Sequence, residues 1–160
     1  MPEKTAETGA FFGAFCRHAG LAAGTEYAVV SFGDSPAMMD ALARLVLEGR
    51  KRATASLARD FSDDGEALPK RGDLVVVVDA GGTPLLVWRT TKVEVKPFRE
   101  VDAAFAWDEG EGDRTLEDWL RGHRAYFLRE AARLGFLFDE GMQTVFERFA
   151  VVWPLEVADG

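Results

Sequence analysis

Apolar residues recur along this chain with two different periods, and the switches between them mark the elements. Over residues 5 to 23, Phe11, Phe12, Phe15, Ala19 and Ala22 fall at near-helical spacing and predict an N-terminal helix, with Gly20 and Gly24 at its end. Tyr27 to Phe32 reads as a short buried strand. Ser35 then offers an N-cap and Pro36 a first helical residue, so a helix over 36 to 48 follows, with Met38, Leu42, Leu45 and Val46 on one face. Gly49 is placed to end that helix in a left-handed conformation.

Beyond Gly49 the period shortens. Lys51, Ala53 and Ala55 alternate with Arg52, Thr54 and Ser56, a pattern compatible with a short strand over 51 to 57, and 61 to 72 is polar loop. The β-branched run 73 to 79, the turn Gly81-Gly82 and the stretch 84 to 95 predict a hairpin. Residues 98 to 107 predict a short helix carrying Phe98, Val101, Phe105 and Trp107. Thr115 caps a helix over 116 to 134, where Leu116, Trp119, Leu120, His123, Phe127, Ala131 and Leu134 form one stripe. The chain closes in a strand over 145 to 153, with Val145, Glu147, Phe149, Val151 and Trp153 sharing a face.

These elements sit in 160 residues of which 48% are hydrophobic, enough for one core of ordinary size. No apolar run reaches the roughly 18 residues that span a bilayer, and the first residues lack the basic start and apolar core of a signal peptide, so a soluble, cytoplasmic protein is expected. The single Cys16 excludes an internal disulfide and reads as a buried small hydrophobe. With 27 acids against 19 bases the net charge is −8, which excludes general affinity for polyanions and leaves only local contacts with nucleic acid. Arg50, Lys51, Arg52, Arg59, Lys70 and Arg71 could supply such a patch, although Asp60, Asp63, Asp64 and Glu66 lie between them.

The run Gly49-Arg50-Lys51-Arg52-Ala53-Thr54-Ala55-Ser56 has the form G-x-K-x-x-T-x-S, and it resembles the signature of the ASCH domain family. The resemblance extends to Phe32-Gly33-Asp34-Ser35-Pro36, to Leu68-Pro69-Lys70-Arg71-Gly72-Asp73-Leu74, to Glu109-Gly110-Glu111-Gly112-Asp113 and to Trp119. It is similar to the longer bacterial form, over residues 27 to 155, with 1 to 26 as a helical extension packed on the domain. The resemblance implies an α+β fold, a PUA-like mixed β pseudo-barrel of five or six strands with peripheral helices. It also implies binding of a nucleotide, modified nucleoside or short RNA in a cleft beside the motif, with hydrolysis of an acylated base or of an RNA phosphodiester. No cofactor and no membrane are implied. A module that binds RNA or a regulatory partner without catalysis is the competing reading, and the oligomeric state stays open.

In family members that hydrolyse acetylated cytidine, the residues corresponding to Lys51, Thr54 and Glu111 look catalytic; Arg50, Arg52, Ser56 and Arg59 are this chain's candidates for substrate binding. The chemistry fits those types. A lysine held between basic neighbours and partly buried would have a lowered pKa, could take a proton from Thr54, and so let that hydroxyl attack an amide carbonyl. Glu111 would pass the proton to the leaving amine, with Glu109 and Asp113 competing for its place. Ser56 stands where compact hydrolase-like members carry arginine, which removes a bidentate donor. His123, on an apolar stripe, reads as a core histidine bonded to backbone. Trp119 and Trp153 read as packing, while Trp107 could offer a stacking face and Trp88 is unplaced. His18 and His123 are far apart and the acids of 109 to 113 lack ligand spacing, so no metal site is expected.

Overall fold

The run Leu74–Val78 (β3) and the long strand Pro84–Pro97 (β4) pair antiparallel, as the alternation and the glycine turn predict. This computed structural model describes residues 2–160. Ala28–Val30 (β1) adds to β3 in parallel, Gln143–Trp153 (β5) pairs antiparallel with β4, and Ala53–Leu57 (β2) pairs antiparallel with β5. The sheet order is therefore β1-β3-β4-β5-β2, curled into a half-barrel and flanked by helices, which is the expected α+β pseudo-barrel.

Alternation within β3 decides what covers each face. Val76 and Val78 pack with Phe12, Phe15 and Cys16 of helix α1 (Ala6–Ala19), while Val75 and Val77 pack with Ala43 and Val46 of α2 (Pro36–Leu47) and with Trp88. Both faces of the strand are thus buried, which suits a continuous β-branched run. A third cluster joins Ala53, Leu57 and Phe146 to Phe105 of α4 (Ala103–Glu109) and to Trp119 and Phe127 of α5 (Leu116–Leu134). At roughly 1.5–3 kcal/mol per fully buried large side chain, these three clusters supply most of the force that closes the sheet.

Helix bounds follow local chemistry. Ser35 accepts a hydrogen bond from the Met38 amide and Thr115 from the Asp118 amide, so α2 and α5 start at their predicted caps. Two segments differ from expectation. Ala58–Asp63 is a short helix, α3, where a loop is expected from residue 61; with Phe61 its only large apolar residue, it has no periodicity to read. Residues 98 to 107 are not one helix: Phe98–Glu100 is a 3-10 turn, and Asp102 then caps α4 by accepting from the Phe105 amide. Register shifts at Val87/Trp88 and Thr90/Lys92 interrupt β4 beside the site, where such irregularities re-aim side chains. No described helix is long and apolar enough to cross a membrane.

Candidate active site

Helix α2 ends at Leu47 with Glu48 as its C-cap, and Gly49 takes the left-handed conformation at φ +85°. That turn folds the chain back so that the amides of Arg50 and Lys51 both donate to the Leu45 carbonyl, at 2.9 and 3.1 Å. Lys51 is thereby aimed inward, with a side chain only 1% exposed. Its Nζ donates to the Ala53 carbonyl at 2.8 Å and to Glu111 Oε2 at 2.8 Å, and lies 3.5 Å from Glu109 Oε2. Phe32 closes the space beside the ammonium, its ring centroid 5.3 Å away.

Glu109 ends α4 in full burial, and it meets a second cation. His123 Nε2 stands 3.1 Å from Glu109 Oε2. The other ring nitrogen, Nδ1, is 3.0 Å from the Trp119 carbonyl, which can only accept, so Nδ1 carries a proton. Trp119 stacks on the imidazole at a centroid distance of 3.9 Å. The backbone contact expected of His123 is present, and its opposite nitrogen belongs to the charged cluster.

The four groups set one another's protonation. Burial alone would push the Lys51 ammonium pKa down, but the carboxylates of Glu109 and Glu111 more than offset it and the net direction is up. The expectation of a lowered lysine pKa is thus reversed, because Arg50 and Arg52 turn away and acids, not cations, surround the ammonium. Burial would also lower His123, and Glu109 again reverses it upward. Glu109 itself is held well below the carboxylate range, since His123 and Lys51 outweigh its burial. Glu111 goes the other way: burial and the adjacent Glu109 carboxylate push it up to about 7 against the pull of Lys51.

These side chains open on a cavity of about 840 Å³, large enough for a nucleoside-sized molecule. Lys51, Thr54, Ser56, Glu109, Glu111 and His123 line it, with Phe32, Trp88 and Tyr126 as aromatic wall. Thr54 and Ser56 share a face of β2, while Ala53 and Leu57 pack into the core behind. The sequence-predicted catalytic set is therefore gathered at one cavity.

The three arginines are not part of that lining. Arg50 donates to the carbonyls of Gly110 and Gly112, and Arg52 makes a forked pair with Asp159 while donating to the Val46 and Lys51 carbonyls. Arg59 pairs with Asp63 and lies over the Phe136 ring. Lys51 and these three arginines of the expected cationic patch are accordingly engaged in internal contacts. What faces the cavity instead is acidic: Asp34, Asp60, Asp63, Asp64, Glu66 and Glu130 border it, with Arg133. Glu109, Glu111 and His123 also present ligand atoms within 4.8 Å of one another, contrary to the spacing argument, yet the Lys51 ammonium already stands against both carboxylates as their cation.

A family model described as "ASCH domain" matches residues 28–153. Among solved structures, the ASCH domain from Lactobacillus crispatus JV V101 is 31% identical, with a TM-score of 0.82 over 94% of this chain and 97% of that one. Protein EF3133 from Enterococcus faecalis V583 is 35% identical, with a TM-score of 0.80 over 89% of this chain and 86% of its own. The hypothetical protein PH0355, at 16% identity and a TM-score of 0.51, shares the fold alone. No curated protein matches the sequence.

Proposed function

The chain belongs to the ASCH domain family, and from that premise we propose that its cavity hydrolyses an exocyclic amide on an uncharged nucleoside or base. The observation that carries this reading is the ion cluster that lines the cavity together with Thr54, in which one carboxyl group, Glu111, is pushed up to about 7 against the charges of Lys51 and Glu109. A group poised near the working pH is the efficient proton carrier. Lys51, kept cationic, holds Glu111 in place and offers positive charge to an oxyanion; it is not the base.

The steps follow from those roles. Ionised Glu111 takes the proton of Thr54 Oγ as Oγ bonds to the amide carbonyl carbon, giving a tetrahedral oxyanion beside Lys51. Collapse breaks the C–N bond, and the proton on Glu111 passes to the departing exocyclic nitrogen. Water then attacks the acyl-threonine ester, Glu111 accepts the water proton, and that proton returns to Thr54 Oγ as the carboxylic acid leaves. The net reaction is amide plus water to amine plus acid.

The acidic border supports a neutral substrate over RNA. Phosphates entering past Asp60, Asp63, Asp64 and Glu66 would meet like charge, with the nearby arginines already engaged. Incubation with a panel of N-acylated nucleosides and with short RNAs, read by mass, tests the reading. Loss of an acyl group that requires both Thr54 and Glu111 is expected. Cleavage of RNA by the parent, with every acylated nucleoside untouched, would overturn it.

A further inference from the structure

A second buried carboxyl group lines the cavity and takes no part in the chemistry above. Glu147, 7% exposed, lies on β5 directly opposite Thr54 of β2, so the two side chains rise from the same face with Cβ atoms about 4.5–5.5 Å apart. Its surroundings fix its orientation. Trp88 Nε1 can only donate, and it donates to Thr90 Oγ1 at 3.2 Å; the Thr90 hydroxyl therefore spends its single hydrogen on Glu147 Oε2, at 2.6 Å. Oε1 is the oxygen that Thr90 leaves unengaged.

A buried carboxyl group is ordinarily paired with a cation, because an isolated charge away from water is costly. Among the described residues none of the ion pairs includes Glu147, and the charge that acts on it comes from another acid, Asp73. Burial pushes its pKa up, beyond what hydrogen bonding from Thr90 and the nearby Trp88 indole pulls down. In its protonated form, which burial favours, the carboxyl group offers a donor at Oε1 and an acceptor at Oε2. Trp88, stacked on Phe149 at 4.0 Å and flanked by Phe32, is held rigidly beside it.

We propose that Glu147 reads the ligand: it pairs side-on with a flat heterocycle bearing an exocyclic N–H beside a ring nitrogen, the edge shared by amino-pyrimidines and amino-purines. Oε1 donates to the ring nitrogen and Oε2 accepts from the exocyclic N–H. The strand pairing then sets the exocyclic group next to Thr54, so this assignment deepens the amide-hydrolysis reading and rests on it for its substrate class. Glu147 is a specificity-determining residue, with no proton transfer assigned to it.

The test is calorimetric binding of cytidine, adenosine and purine riboside, the last lacking the exocyclic amine, to the parent, Glu147→Gln and Glu147→Leu, with urea midpoints confirming that each variant folds. The parent should bind cytidine or adenosine at least tenfold more tightly than purine riboside. Glutamine retains one donor and one acceptor and should keep that preference within about threefold, whereas leucine should abolish it. A preference that survives in Glu147→Leu, or a parent that binds neither amino-nucleoside, overturns the proposal. Failure of the hydrolysis reading is distinguishable: amino-nucleosides would still bind in a Glu147-dependent way while no acylated nucleoside turned over.

Discussion

The guanidinium of Arg50 brackets Glu111, donating from Nε to the Gly110 carbonyl at 2.7 Å and from Nη2 to the Gly112 carbonyl at 2.6 Å. One planar fork thus pins the backbone on both sides of the residue whose carboxyl group meets Lys51. The fit is close, since a Cβ on Gly110 would lie 2.2 Å from the Arg50 carbonyl oxygen, and Gly110 already sits at φ +70°. Arg50 itself is exposed, so Arg50→Ala should leave the fold standing and lower kcat on an acylated nucleoside about 10- to 100-fold with KM little changed, a positioning effect. Arg50→Lys should rescue poorly, because an ammonium cannot span both carbonyls. Steady-state kinetics of the two variants check this.

Removing Lys51 should be a stability event as much as a catalytic one. A surface lysine would be replaced at little cost, but Lys51→Ala leaves buried Glu109 with His123 as its one remaining cationic partner, and loss of one partner of a buried pair costs about 3–5 kcal/mol. Adding Glu109→Gln should recover part of that loss. Urea unfolding of the single and double variants measures the coupling, and additivity would show the two groups to be independent.

The pH profile carries the sign of the cluster. Glu111 must be ionised to act, so kcat/KM for an acylated nucleoside should rise with pH through a midpoint near 7 and lose that step in Glu111→Gln. Stability should move the opposite way. The folded protein holds a proton on Glu111 that the unfolded chain releases above about 4.5, and His123, raised from 6.5, adds stabilisation that fades as pH climbs through its folded value. Glu109, being depressed, acts in the reverse sense and loses its contribution only as pH falls below its ordinary 4.5. The urea midpoint should therefore decline from pH 6 to pH 9, and less steeply in Glu111→Gln.

Salt separates a neutral ligand from a polyanion. Turnover of an acylated nucleoside should change less than about twofold between 50 and 300 mM salt, since no phosphate is neutralised on binding. A short single-stranded RNA should show no measurable binding at the higher salt. Fluorescence anisotropy of a labelled oligonucleotide checks this, and a steep logarithmic salt slope would identify phosphate contacts instead.

Much of the scaffold was legible because it repeats. Helix α5 has the predicted bounds, 116 to 134, since seven residues at helical spacing and a capping threonine agree with each other. Helix α3 was hidden because six residues with one large hydrophobe have no period. At the site the sequence pattern points to Lys51, Thr54 and Glu111 but not to their protonation: local sequence shows Arg50 and Arg52 as neighbours, whereas the fold turns both away and brings in acids from about 60 positions downstream. Glu109 competes with Glu111 for one position in the sequence, whereas the fold brings both carboxylates to Lys51. Glu147 carried a usable signal that went unread, an acid on the apolar face of Val145, Phe149 and Val151.

The pairing of Thr54 with Glu147 across β2 and β5 has one more consequence. A separation set by main-chain hydrogen bonds between neighbouring strands does not drift when loops lengthen or surface residues change. The acidic stretch after α3 can therefore diversify, admitting bulkier or differently charged molecules, while the ruler between Thr54 and Glu147 keeps its length. Relatives that retain both strands inherit that spacing, and with it a constraint on how far the bond to be broken can lie from the edge by which a substrate is chosen.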